Sequence, residues 1–218
     1  MPGFFIVLDG PEGCGKSTQA QLLADRLRGL GHDVVLTHEP GGTAVGQAIR
    51  AVVLSPESGD VAPVAELLLM EADRAQHLTE LIRPALAAGQ VVVCDRFSIS
   101  TFAYQAVAGG VGEELFEAAE AAAVGDTLPN LTVILDVPAD LGLQRRLGPD
   151  LGPESGDRME QKGLDFHRRV REGYLTYAGR YPGRCRLVDG RGTPEEVAEE
   201  VFATIAPYLP PPPWPSET

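Results

Sequence analysis

The chain has 218 residues and a net charge of −13, from 18 basic and 31 acidic side chains. That length suffices for one domain with a substantial core. The acid excess argues against a general nucleic-acid surface, and no run of about 18 apolar residues is present to span a membrane. The N-terminal MPGFFIVLDG lacks the basic segment of a signal peptide. Cys14, Cys94 and Cys185 have neither disulfide-framework nor metal-type spacing, so a reducing, cytoplasmic setting is expected.

In chain order, residues 3–9 form a continuous apolar run typical of a buried parallel strand. Helical spacing follows from Lys16 to about Leu30, then a strand at 33–38, a helix at 43–54 and a long amphipathic helix at 62–88. Residues 90–95 read as a strand, 98–108 and 112–124 as helices, 131–137 as a strand, and a further helix starts near 139. The Gly- and Pro-rich stretch 147–157 is a loop. A helix at 158–180, a strand at 184–190 and a helix at 193–206 complete the order, the last capped by Thr193 with Pro194 at its first position. The proline-rich 210–218 is expected to run as a frayed polyproline tail. Five apolar strands separated by helices predict an α/β three-layer fold, a five-stranded parallel sheet flanked by helices. Residues 1–209 would form a single domain with a lid at about 145–160. Ligands are then expected beyond the carboxyl ends of the strands.

Between the first strand and first helix runs Gly10-Pro11-Glu12-Gly13-Cys14-Gly15-Lys16-Ser17-Thr18, a G-x-x-x-x-G-K-S loop in the strand–loop–helix setting it requires. Its glycines let successive N–H groups face one phosphate, and the helix start adds the positive end of its dipole. Lys16 can reach β- and γ-phosphates and the Ser17 hydroxyl can ligate Mg²⁺. A nucleoside triphosphate with Mg²⁺ is therefore the expected ligand pair. Lysine is otherwise nearly absent: Lys16 and Lys162 stand against 16 arginines. The single asparagine, Asn130, closes the guanine-reading N-K-x-D branch, and no L-S-G-G-Q transporter signature is present. A kinase of small phosphorylated metabolites remains, an activity that rests on juxtaposing two anions, excluding water and placing cations.

Three further segments narrow this reading: His38-Glu39-Pro40-Gly41-Gly42-Thr43, Glu71-Ala72-Asp73-Arg74-Ala75-Gln76-His77, and Asp95-Arg96-Phe97-Ser98-Ile99-Ser100-Thr101-Phe102-Ala103-Tyr104-Gln105. With the phosphate loop, they resemble the bacterial thymidylate kinases, in order and over nearly the whole chain. The resemblance implies transfer of the ATP γ-phosphoryl group to dTMP, Mg²⁺ dependence and a homodimer. The alternatives are a kinase of another nucleoside monophosphate or deoxynucleoside, or a nucleotide-binding regulator without turnover.

The resemblance also implies roles. Glu12 would meet the sugar 3′-hydroxyl and help organise Mg²⁺. Arg96 would clamp the monophosphate, with Arg50 as a second phosphate arginine. Asp95 would handle Mg²⁺ or orient Arg96. Arg74 would donate to a thymine carbonyl, Thr101 and Gln105 would meet the remaining polar edge, and Ser100 would join the dTMP site. Tyr104 would close on the sugar against a 2′-hydroxyl. Met70 stands where the family commonly stacks phenylalanine on the base; its sulfur can pack on an aromatic face, with base selection relaxed. Glu71 is expected to face solvent. Among the lid arginines Arg145, Arg146 and Arg158, the last is the first candidate for the γ-phosphate and Arg145 the second, and Glu160 would sit near the metal or the lid pivot. Cys14, at a helix start, is expected to have a lowered thiol pKa.

Overall fold

The computed structural model of the chain describes residues 3–148 and 156–211. Most of the lid loop and of the proline tail lie outside the described residues. Five parallel strands, β1 Phe4–Asp9, β2 Val34–His38, β3 Val91–Asp95, β4 Leu131–Asp136 and β5 Cys185–Asp189, form one sheet in the order β2-β3-β1-β4-β5. The central β1 pairs Leu8 with Asp95 of β3 and with Val133 of β4, so its carboxyl end opens between two others. The apolar runs read as strands are strands because both faces of the sheet are covered by helices. On one face Ile6, Leu8, Val93 and Val133 pack with Leu23 and Leu27 of α1 (Lys16–Gly29) and Val197 and Val201 of α9 (Pro194–Ile205). On the other, Phe5, Val7, Val92 and Cys94 meet Leu78, Ile82 and Phe97.

The remaining helices are α2 Ala44–Leu54, α3 Pro63–His77, α4 Arg83–Ala87, α5 Ser98–Thr101, α6 Glu113–Val124, α7 Ala139–Leu147 and α8 Leu164–Arg180. The long helix expected at 62–88 is α3 and α4 joined by a π-helical turn, Leu78–Ile82. A second π segment, Phe102–Ala108, follows α5. Such segments frequently occur at functional sites, and this one carries Tyr104 and Gln105. The helix expected from 158 begins later, at Leu164. Asp157 Oδ1 accepts the N–H groups of Met159 and Glu160, and Gly163 turns with φ +80°, so the chain makes a capped turn before α8 starts. The α9 start matches expectation: Thr193 and Glu196 form a reciprocal capping box.

Candidate active site

The phosphate loop leaves β1 at Asp9, whose carboxylate anchors both this loop and the start of α5. It accepts the N–H groups of Gly10, Phe97 and Ser100 and the hydroxyls of Ser100 and Tyr174. Two separate segments are thereby tied to one buried side chain. No motif singled out Asp9; the available signal was a charge ending an otherwise apolar strand directly before the glycines. The loop also touches α7 backbone to backbone. A Cβ at Gly13 would overlap the Gly142 carbonyl, and one at Gly142 would overlap the Glu12 carbonyl, so both positions require glycine.

Lys16 is buried, its Nζ donating to the carbonyls of Gly10 at 3.1 Å and Pro11 at 2.8 Å. Those carbonyls hold the ammonium above the loop where a phosphate would meet it. Ser17 Oγ donates to Asp95 Oδ2, and Asp95 Oδ1 is buried with no partner among the described residues. A hydroxyl and a carboxylate with a free buried oxygen form a donor set suited to Mg²⁺, which takes one or two carboxylates plus phosphate oxygens and water. Among the described residues no cluster of three or more His, Cys, Asp or Glu could hold a metal, and that mode of binding needs none.

Glu12 lines the cavity and is surrounded by cations. Its Oε2 accepts from Arg96 Nη2 at 2.8 Å and from the Tyr104 hydroxyl at 3.3 Å, and Oε1 lies 3.7 Å from Arg146 Nε. Burial opposes its ionisation, but Arg96, Lys16 and Arg146 together hold the carboxyl at about 2. It is a fixed anion that positions cations. Arg96 is the one non-glycine residue with positive φ (73°) among those described. Holding arginine there costs of order 1–3 kcal/mol and turns its guanidinium over the loop, where Nη1 also donates to Ser100 Oγ at 3.2 Å.

A cavity of about 940 Å³ opens at this edge of the sheet. It is lined by Glu12, Lys16, Ser17, Thr18, Asp95, Arg96, Arg50, Met70, Ser100, Tyr104, Gln105, Arg145 and Arg146. The structure thus brings most of the expected site residues to one space. Arg50 reaches in from α2 while donating to the Pro40 carbonyl at 2.9 Å.

Six of the expected residues lie outside the cavity lining: Gly10, Pro11 and Cys14 of the loop, and Arg74, Thr101 and Arg158. Arg74 and Thr101 are fully buried and do not line the cavity. Arg74 donates to Glu39 at 3.0 Å, to Glu71 at 2.6 Å and to Thr101 at 2.9 Å, and so is the centre of an ion network beneath the floor. Glu71, expected in solvent, is 4% exposed. Its residence on the face of Leu67 and Arg74 follows from i, i+4 and i, i+3 spacing, a signal that the charge obscured. Arg158 also turns away: it donates to the Val53 carbonyl and ion-pairs with Glu66. Arg145 lines the cavity but donates to the carbonyls of Gly190 and Arg191. Arg146, half exposed, reaches both Glu160 and Glu12. Glu160 accepts from Arg146 and from the Asp157 N–H and lines the same cavity.

Cys14 is corrected as well. Burial pushes its thiol up despite the nearby Lys16, so the helix start does not yield a reactive thiolate.

Beneath Glu39, Asp73 accepts the Gly41 N–H at 2.9 Å, and His77 bridges Glu39 and Thr37. Burial, then the Glu39 carboxylate, raise Asp73 to about 6. A carboxyl raised on folding favours the folded state most below its unfolded value, and this advantage is lost as pH rises through the folded one. Asp73→Asn removes the charge and keeps an acceptor for Gly41. The variant is expected to melt above the parent at pH 8, with the difference closing between about pH 6 and 4. A difference that stays constant with pH, read by thermal melts, would contradict the assignment.

A glycine-rich loop capped by lysine, on a parallel sheet and facing an arginine-lined cavity, defines a P-loop kinase. Comparison with known proteins makes the class specific. The family model for thymidylate kinase matches residues 8–201. A thymidylate kinase of Caulobacter vibrioides is 49% identical over 207 residues, covering 95% of this chain and 98% of the relative. One of Syntrophotalea carbinolica is 47% identical over 206 residues, covering 93% and 95%. The crystal structure of thymidylate kinase from Ehrlichia chaffeensis superposes with a TM-score of 0.77 at 29% identity, covering 94% of this chain and all of that one. The chain belongs to the thymidylate kinase family.

Proposed function

We propose that the chain transfers the γ-phosphoryl group of ATP to dTMP, giving dTDP and ADP. The carrying observation is that Lys16 of the phosphate loop and the Arg96–Glu12–Tyr104 cluster line one cavity. Its volume of about 940 Å³ is at the upper end for ligand cavities, about 300–1,000 Å³, and suits two nucleotides meeting at their phosphates.

In this reading Lys16 exchanges its loop carbonyls for the β- and γ-phosphate oxygens of ATP. Arg96 and Arg50 hold the acceptor phosphate, for which a planar guanidinium offers paired donors. Glu12, charged across the working pH range, fixes Arg96 and Tyr104 beside the acceptor sugar. Met70 lies against the base. Arg146 takes the lid role expected of Arg158, since it is the more exposed and faces the cavity. Ser17 and Asp95 would hold Mg²⁺, which when bound neutralises charge on the transferring phosphates.

A domain spanning 1–209 with its lid at about 145–160 is part of the same reading. So is a homodimer, supported by exposed Val45 and Val52 of α2, Val64 and Leu68 of α3 and Leu115 of α6, on helices that pack together. The charge of −13 supports small-molecule partners without nucleic acid, and three free, buried cysteines suit the cytoplasm.

Coupled ADP release with Mg-ATP against dTMP, dUMP, dCMP, AMP and thymidine tests the proposal. Strong preference for dTMP is expected. Comparable rates with dUMP would mean that Met70 loosens the pocket, and ATP binding without turnover on any acceptor would overturn the enzymatic reading.

A further inference from the structure

Away from the phosphate loop, one carboxylate joins three elements. Glu66, on α3, is 2% exposed. Its Oε1 accepts from Gln105 Nε2 at 2.8 Å. Its Oε2 pairs with Arg158, and Lys162 Nζ lies 3.5 Å from both oxygens. Arg158 and Lys162 belong to the segment that returns from the lid, and Arg158 is itself fastened to the end of α2 through the carbonyls of Val53 and Leu54. Gln105 sits on the π segment, is 3% exposed, and lines the cavity near Met70 and Tyr104. Its Oε1 is buried without a hydrogen-bond partner among the described residues.

An amide has a donor end and an acceptor end, and on its own can present either. A carboxylate has only acceptors. With Glu66 behind it, Gln105 must turn Nε2 backward, and Oε1 is the end left for a ligand. We infer that Glu66 is a positioning residue for base selection, fixing Gln105 so that it offers an acceptor to the pyrimidine in the cavity. The assignment rests on dTMP being the phosphoryl acceptor. An acceptor there suits a ring imide N–H, as in thymine. Cytosine carries a lone-pair nitrogen at that ring position, which would face Oε1 lone pair to lone pair. Leaving a buried polar group unpaired is what gives hydrogen-bonding pockets their large discrimination. Arg158 and Lys162 complete the device by compensating the buried charge of Glu66.

The test compares kcat/KM for dTMP and dCMP in the parent and in Glu66→Gln and Glu66→Asp, with KM for ATP measured alongside. In Glu66→Gln an amide backs an amide, either orientation of Gln105 is satisfied, and the dTMP/dCMP ratio is expected to fall about 10-fold or more. KM for ATP is expected to stay near the parent value. Glu66→Asp keeps an acceptor-only partner and is expected to retain most of the ratio. An unchanged ratio in Glu66→Gln, or an equal fall in both variants, overturns the inference. If Glu66→Gln does not fold, Glu66→Asp and Gln105→Leu carry the test together: a ratio kept in Glu66→Asp and collapsed in Gln105→Leu, with KM for ATP kept, supports the inference, and a parental ratio in Gln105→Leu or a collapsed one in Glu66→Asp overturns it. Failure of the parent itself to use dTMP would be failure of the functional reading, seen before any variant is made.

Discussion

Lys16→Ala is expected to lower kcat by about 10²–10³, the usual effect of removing one preorganised charge or donor from a transition state. The ammonium is buried and held by the Gly10 and Pro11 carbonyls, so its position is set before any nucleotide arrives. Phosphoryl transfer demands little covalent chemistry and much electrostatic stabilisation, which makes a preset cation disproportionately valuable. Lys16→Arg is expected to recover little, because a planar fork does not fit the space of a compact ammonium folded onto two carbonyls. Steady-state rates with saturating dTMP and Mg-ATP decide the matter. A loss of less than about tenfold would remove Lys16 from the centre of the mechanism.

The second large effect is on stability. Arg74→Met is expected to destabilise the fold by about 3–5 kcal/mol, because it strands carboxylates that a buried cation compensates. Glu39 and Glu71 both lie against Arg74 at side-chain exposures of 1% and 5%, and Arg74 itself is at 0%. Burial opposes the charge on Arg74, yet the two carboxylates prevail and raise its pKa. Urea unfolding at pH 7 measures the loss. The double variant Arg74→Met, Glu71→Leu is expected to recover part of it, since apolar replacement of both partners removes one uncompensated charge. A guanidinium serving only as a contact to the base would behave differently, its removal costing about 0.5 kcal/mol or less, as for a side chain outside the packed network.

How far the sequence could be read depended on the range of the interaction concerned. The strands were legible because each is a contiguous apolar run covered on both faces. The phosphate loop was legible because its chemistry lies within nine consecutive residues, 10–18. Arg96, Tyr104 and Gln105 were legible through the resemblance of their segment to the bacterial thymidylate kinases, and all three line the cavity. The fate of Arg74 was not, because its partner Glu39 stands 35 positions away, across a turn whose path no local pattern specifies. Glu71 was readable in principle: it lies four residues after the buried Leu67 and three before Arg74 on one helix. The contact of Arg158 is of the same kind, its carboxylate Glu66 lying 92 positions earlier. The late start of α8 turns on Asp157 and Gly163, whose effect depends on backbone angles rather than on side-chain periodicity.

The placement of the two lysines has a practical consequence. One is folded into the phosphate loop and the other, 27% exposed at its side chain, helps compensate Glu66. All other side-chain positive charge is arginine or histidine, which reagents that acylate primary amines leave largely untouched. Such labelling, otherwise a diffuse coating of a protein surface, is confined here to the α-amino group and two points of the nucleotide-binding architecture. Once located to Lys16 or Lys162 by peptide mapping, the added mass reads the state of the loop or of the Glu66 cluster, with no residue introduced for the purpose.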